Sequence, residues 1–233
     1  QLKIMTKDII SEVYNMDCIA GMKQYPDKYF DLAIVDVPYG IGEDGSKNHT
    51  RSVIAKSKNY KAFYGNDLQP PNLDYWEELF RVSKNQIIWG VNYFDYHFGS
   101  GRIVWDKVNG QSSFSDCELA YCSLHESTRL FRYMWNGMMQ GKSISEGHIQ
   151  QGNKSLNEIR IHPTQKPVNL YIWLLQNYAS DGDRILDTHV GSASSLIACE
   201  DLGFDYVGCE LDKDIFESSN RRLQIYKRQI KLL

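Results

Sequence analysis

Arg184-Ile185-Leu186-Asp187-Thr188-His189-Val190-Gly191-Ser192-Ala193-Ser194 is the stretch that decides the fold. A short apolar run ends on an acid, passes through a loop containing Gly191, and enters an apolar helix to Leu202. A second strand, Tyr206-Val207-Gly208-Cys209-Glu210, closes the unit with an acid 23 positions after Asp187. Strand, Gly-containing loop, helix, strand and a terminal acid describe a mononucleotide-binding βαβ unit; an ordinary βα turn is the plain alternative. The loop lets a ligand approach the backbone, and Glu210 suits a ribose. A dinucleotide would want GxGxxG, which is missing, and Asp187 would repel a pyrophosphate. An acid there suits a cation such as an α-amino group. A nucleoside joined to an amino acid describes S-adenosylmethionine.

The second informative stretch is Asp36-Val37-Pro38-Tyr39-Gly40, which follows the buried-strand run Leu32-Ala33-Ile34-Val35. An acid at a strand's carboxyl end, followed by Pro, an aromatic and Gly, reads as a ligand-binding rim of an open α/β sheet. It also reads as a turn punctuated by Pro38 and Gly40. Upstream, Glu12-Val13-Tyr14 is a strand, and Asp17 either caps a short helix from Cys18 or supplies a second acid to the same rim.

The chain has 233 residues, 42% of them hydrophobic, enough for one large α/β domain with a full core. No apolar run approaches the roughly 20 residues of a membrane span. The N-terminal residues lack a signal-peptide pattern. The five cysteines form no CxxC pair, so the expectation is reduced thiols, a cytoplasmic protein and no zinc site. Net charge is −3, so any polyanion contact must be local. One such place is residues 41–66, where Lys47, Arg51, Lys56, Lys58 and Lys61 outnumber Glu43 and Asp44, with His49, Tyr60, Phe63 and Tyr64 interleaved. Basic and aromatic residues together suit a nucleic-acid backbone; a solvated loop is the alternative.

Further strands are expected at 86–90, 102–106 and 117–122, and helices at 73–83, up to Tyr178 after Pro167, and from Asp212 onward. Phe216, Leu223, Tyr226 and Ile230 stripe the last helix. Residues 126–160 break the α/β rhythm and read as a small insert, set in a catalytic domain of 1–125 and 161–233. Its Arg129, Phe131, Arg132, Tyr133, Trp135, Lys142, Lys154 and Arg160 are expected to meet nucleic acid rather than form a core.

Three motifs in order resemble those of the β-class, permuted DNA amino-methyltransferases. Asp36-Val37-Pro38-Tyr39 is similar to [DNS]PP[YFW]. His162-Pro163-Thr164-Gln165-Lys166-Pro167 resembles the motif before the cofactor strand, and Asp187 to Ser194 resembles DPFxGSGT. The resemblance spans residues 12 to 223. It implies a doubly wound, mostly parallel sheet of the class I methyltransferase type, in circularly permuted order, with a small target-recognition insert at 126–160. It implies S-adenosylmethionine as cofactor, double-stranded DNA as partner, and a homodimer as an ordinary state; the small size suggests a restriction-modification, phage or prophage setting.

The cofactor residues it implies are Asp17 and Cys18 near the adenine, Glu210 and Leu211 near the ribose, and Asp187, His189, Gly191 and Ser192 in the loop. His162, Thr164, Gln165 and Lys166 join them, with Lys166 at the cofactor carboxylate. Asp36 and the Val37 carbonyl would accept from the exocyclic amine, and Tyr39 would stack on the flipped base with Phe114 opposite. An acid at position 36 goes with N6-adenine. N4-cytosine and RNA methyltransferases, and a catalytically weak DNA-binding relative, are the competing readings. Val37 replaces the first Pro, which predicts slower turnover. Ala193 replaces the second Gly, which predicts weaker cofactor binding if that position needs positive φ or close approach.

Overall fold

The computed structural model describes residues 11–42, 67, 69–110, 115–136, 139–162 and 164–230. In chain order the strands are β1 (Glu12–Asn15), β2 (Phe30–Val35), β3 (Ser83–Trp89), β4 (Arg102–Asp106), β5 (Cys117–Cys122), β6 (Thr128–Arg132), β7 (Trp135–Asn136), β8 (Met139–Gln140), β9 (Arg184–Asp187) and β10 (Asp205–Glu210). The helices are α1 (Cys18–Met22), α2 (Leu73–Val82), α3 (Val168–Tyr178), α4 (Ser194–Leu202) and α5 (Lys213–Ile230).

Eight strands form one sheet in the order β1-β10-β9-β2-β3-β5-β4-β6. All neighbouring pairs are parallel except β3–β5 and β4–β5. Alternation along the strands explains how both faces are covered. Leu32, Ile34, Ile87 and Trp89 belong to a core shared with α3, α4 and α5. Ala33, Val35 and Ile88 belong to a second core with α2. A strand apolar on both sides is what a doubly wound sheet requires.

The topology fixes where a ligand goes. From β9 the chain crosses through α4 to β10, on one side. From β2 it crosses through α2 to β3, on the other. The neighbours β9 and β2 therefore flank the switch point, and a crevice opens beyond their carboxyl ends. Asp187 ends β9 and Asp36 follows β2.

The segment 126–160 differs from its expectation. Residues Thr128–Arg132 pair parallel with β4 as the eighth strand of the main sheet. Phe131, Tyr133 and Trp135 are buried in the first core. The indole of Trp105 donates to the Tyr133 carbonyl (3.0 Å), and that of Trp135 to the Gln165 carbonyl (2.7 Å). The reading of these aromatics as a nucleic-acid surface is corrected: at a spacing of two they lie on one side of an extended chain. Arg132, Lys142 and Lys154 stay outside, whereas Arg160 lies over the Trp135 ring. Arg132 pairs with Asp106 (2.8 Å), Lys142 with Glu146 (2.7 Å), and Lys154 is exposed.

Candidate active site

The acid after β2 sits in a network of charge. Both the Lys166 ammonium (2.7 Å) and the Tyr39 hydroxyl (2.8 Å) donate to Asp36 Oδ1. Lys166 also reaches Glu118 Oε2 (2.8 Å) and the Tyr39 oxygen (3.0 Å), and Lys107 pairs with the other Glu118 oxygen. The Lys166 side chain is 5% exposed and that of Asp36 24%. Burial alone would push the Glu118 carboxyl up, but the two ammonium groups outweigh it and hold it at about 2. Burial works against the charge on Lys166 too, and Asp36 and Glu118 overcome it and raise its pKa.

The turn itself is held from outside. The main-chain N–H groups of Tyr39 and Gly40 both donate to Asp67 Oδ1 (2.7 and 3.0 Å), and the Val37 side chain is buried in the second core. Val37 stands where the family motif has its first proline with its fixed φ. Tyr39 stacks on Tyr93, ring centroids 4.9 Å apart at 12°. Its ring edge lies over Gly90, which has φ +80°; a Cβ there would stand 2.1 Å from Tyr39 Cε1. Gly90→Ala is therefore expected to cost about 2–4 kcal/mol, from overpacking and a left-handed alanine. Urea unfolding checks this, and an unchanged midpoint would refute it.

Asp187 is 3% exposed, and no cation pairs with it among the described residues. Its Oδ1 accepts from the His189 N–H (2.9 Å) and its Oδ2 from the Ser195 hydroxyl. Burial pushes its carboxyl up to about 7. Gly191 turns with φ +52° and donates its N–H to Glu210 Oε2 (2.9 Å), while Asp212 N–H donates to Oε1 (2.9 Å). Each Glu210 oxygen keeps a second lone pair. Because β1 pairs with β10, Asp17 and Cys18 stand beside Glu210 and Leu211; Asn15 Nδ2 ties both carbonyls of that pair. Asp17 also caps α1 by accepting from Ala20 N–H (2.9 Å). His189 Nε2 lies 4.0 Å from Cys18 Sγ, and its Nδ1 meets the Thr188 hydroxyl (2.9 Å).

A profile of the DNA methylase family matches residues 30–221. The chain belongs to the DNA methylase family. The type II methyltransferase M.HpaI of Haemophilus parainfluenzae is 25% identical over 243 residues, covering 89% of this chain and 72% of that protein. M1.HpyAVI in complex with SAM superposes with a TM-score of 0.52 at 18% identity, over 91% of this chain and 98% of that one. The PvuII DNA methyltransferase, cytosine-N4-specific, gives 0.53 at 12%, over 93% and 91%. These two superpositions show the class I methyltransferase fold.

DNA methylases of this family depend on S-adenosyl-L-methionine. The residues at β9, β10 and β1 fit that group. A buried carboxylate without a cation suits its ammonium, and Glu210 has acceptor capacity for two ribose hydroxyls.

The other expected residues of the methylase are engaged within the protein. Lys166, expected at the cofactor carboxylate, lies on Asp36. Gln165 is committed at both ends of its carboxamide, to Glu158 (2.6 Å) and the Ile161 N–H (2.9 Å). Thr164 is exposed and meets His162 Nδ1 (2.9 Å). Burial pushes the His162 imidazole down to about 4, as it does that of His189. Ser192 is buried, and Arg222 donates to its carbonyl (2.6 Å) while pairing with Glu158 (2.6 Å). Ala193 has φ +62°, and its methyl is in the core. The position thus needs positive φ, but the methyl is spent on packing.

Arg132 stands on the rim shared with Asp36. Arg129 points to the opposite end, in a groove with His125, Trp173 and Tyr178. Lys47, Arg51, Lys56, Lys58 and Phe114 lie outside the described residues. Glu118, Lys107 and Tyr93 were missed by sequence reasoning. An acid inside the otherwise apolar strand Cys117–Cys122 was the available signal.

Proposed function

We propose that this methylase transfers a methyl group to the exocyclic N6 of adenine in duplex DNA, with the base flipped into the crevice beside Asp36. The observation that carries this is an aspartate, not a serine, after β2, a quarter exposed and across the switch point from Asp187.

The lone pair of an exocyclic amine is delocalised into its ring, so the amine is a weak nucleophile. Asp36 and the Val37 carbonyl accept its two N–H groups and localise that pair on nitrogen. The contribution is positioning and electrostatics. S-adenosyl-L-methionine, when bound, supplies the methyl on a positively charged sulfur. Asp187 holds the ammonium end, Glu210 the ribose, and Asp17 with His189 the adenine. The proton shed by the amine passes to Asp36 or to water. The target base leaves the stack to reach this rim, and Tyr39 receives it. Arg132, Lys142, Lys154 and the basic stretch 41–66 follow the DNA backbone.

The PvuII enzyme carries N4-cytosine chemistry on this same fold, so the second reading is cytosine N4. Nucleoside analysis of DNA methylated by the purified protein separates the two. N6-methyladenine supports the proposal, and N4-methylcytosine overturns it.

A further inference from the structure

We propose that Lys166 is a positioning residue for methyl transfer, acting through Asp36 rather than on the cofactor. The inference rests on reading Asp36 as the acceptor of the target amine. An ammonium has three N–H donors, and Lys166 has three acceptors: Asp36 Oδ1 (2.7 Å), Glu118 Oε2 (2.8 Å) and the Tyr39 oxygen (3.0 Å). None is left for a cofactor carboxylate.

The second half of the argument concerns Asp36. Its two donors, Lys166 and Tyr39, both fall on Oδ1. Among the described residues no hydrogen bond engages Oδ2. The carboxylate is thus held by one oxygen, and the other is presented to an incoming N–H. A carboxylate free to rotate about its χ2 would lose that preference.

The holding device is itself braced. Lys107, Glu118, Lys166 and Asp36 form a line of alternating charge from β4 and β5 across to the turn after β2. A buried ammonium needs such partners, because losing one leaves the other charge uncompensated. Lys166 is placed by its neighbour Gln165, whose carbonyl accepts from Trp135 and whose amide is fixed on Glu158.

The test compares Lys166→Met, Lys166→Arg and Glu118→Gln with the unmodified protein. It measures methyl transfer to duplex DNA, KM for DNA and the calorimetric Kd for S-adenosylmethionine. Lys166→Met is expected to lower kcat at least 100-fold, with KM and Kd within threefold. Lys166→Arg keeps the charge and recovers part of the loss. Glu118→Gln lowers kcat about tenfold and leaves Kd alone, and it carries the test if Lys166→Met does not fold. A rise of tenfold or more in Kd with kcat preserved would overturn the proposal and return Lys166 to the cofactor. Unchanged or faster turnover in both Lys166→Met and Glu118→Gln would overturn it too. Asp36→Ala is run beside them. If it stays active, the reading of Asp36 fails; if it is inactive while Lys166→Met is fully active, only the present inference fails.

Discussion

Asp36→Ala is expected to reduce methyl transfer by about 10³-fold, with S-adenosylmethionine binding unchanged within a factor of three. Loss of one preorganised group at a developing charge typically costs 10²–10³ in kcat. Here the group also orients the amine, which moves the expectation to the upper end of that range. The substitution leaves Lys166 paired with Glu118, so the charge network survives and the fold should hold. Single-turnover transfer of tritiated methyl to duplex DNA gives the rate, and calorimetry gives the Kd. A loss confined to Kd would place Asp36 with the cofactor; a loss below tenfold would remove it from the chemistry.

The cofactor's affinity should depend on pH through Asp187. Burial raises this carboxyl to about 7. Binding an ammonium there requires the ionised form, so Kd should rise about tenfold per pH unit below 7 and level off above it. The effect on the empty protein has the opposite sense. From about pH 4 to 7 the folded state holds a proton that the unfolded chain has released, so this group's contribution to stability falls as pH rises. Added cofactor should therefore raise the melting temperature more at pH 8 than at pH 6. His162 and His189, both pushed down to about 4, stay neutral across this window. Glu210 is also raised by burial and adds in the same direction. Asp187→Asn isolates the aspartate: it should weaken binding at pH 8 and flatten most of the slope. A slope kept in full by that variant would assign it to Glu210.

What was legible in the sequence was local. Asp187, Gly191 and Glu210 are read from one βαβ unit, whose parts touch because they are consecutive. Asp36 could be read because a buried strand ends just before it. The contacts of Lys166 were not legible because its partners are Asp36, 130 residues away, and Glu118, and no periodicity reports such a pairing. The aromatics of 126–160 were misread for a different reason. Phe131, Tyr133 and Trp135 carry the two-residue rhythm of a strand, but arginines and short loops around them masked it. Gln165 shows a third kind of gap: a motif fixes the residue type, while the structure spends its carboxamide on Glu158.

The position of β1 has a consequence for biosynthesis. Among the described residues this strand pairs only with β10, so β1 waits for the last of the described strands. Until then β1 lacks its one strand partner among the described residues, and Asp17 and Cys18 stand apart from Glu210. A nascent chain stalled before β10 would carry Asp36 and Lys166 but not Glu210, to which the proposal gives the ribose. On the proposed reading, cofactor capture is a late event in the life of the chain, coincident with the pairing of β1 with β10.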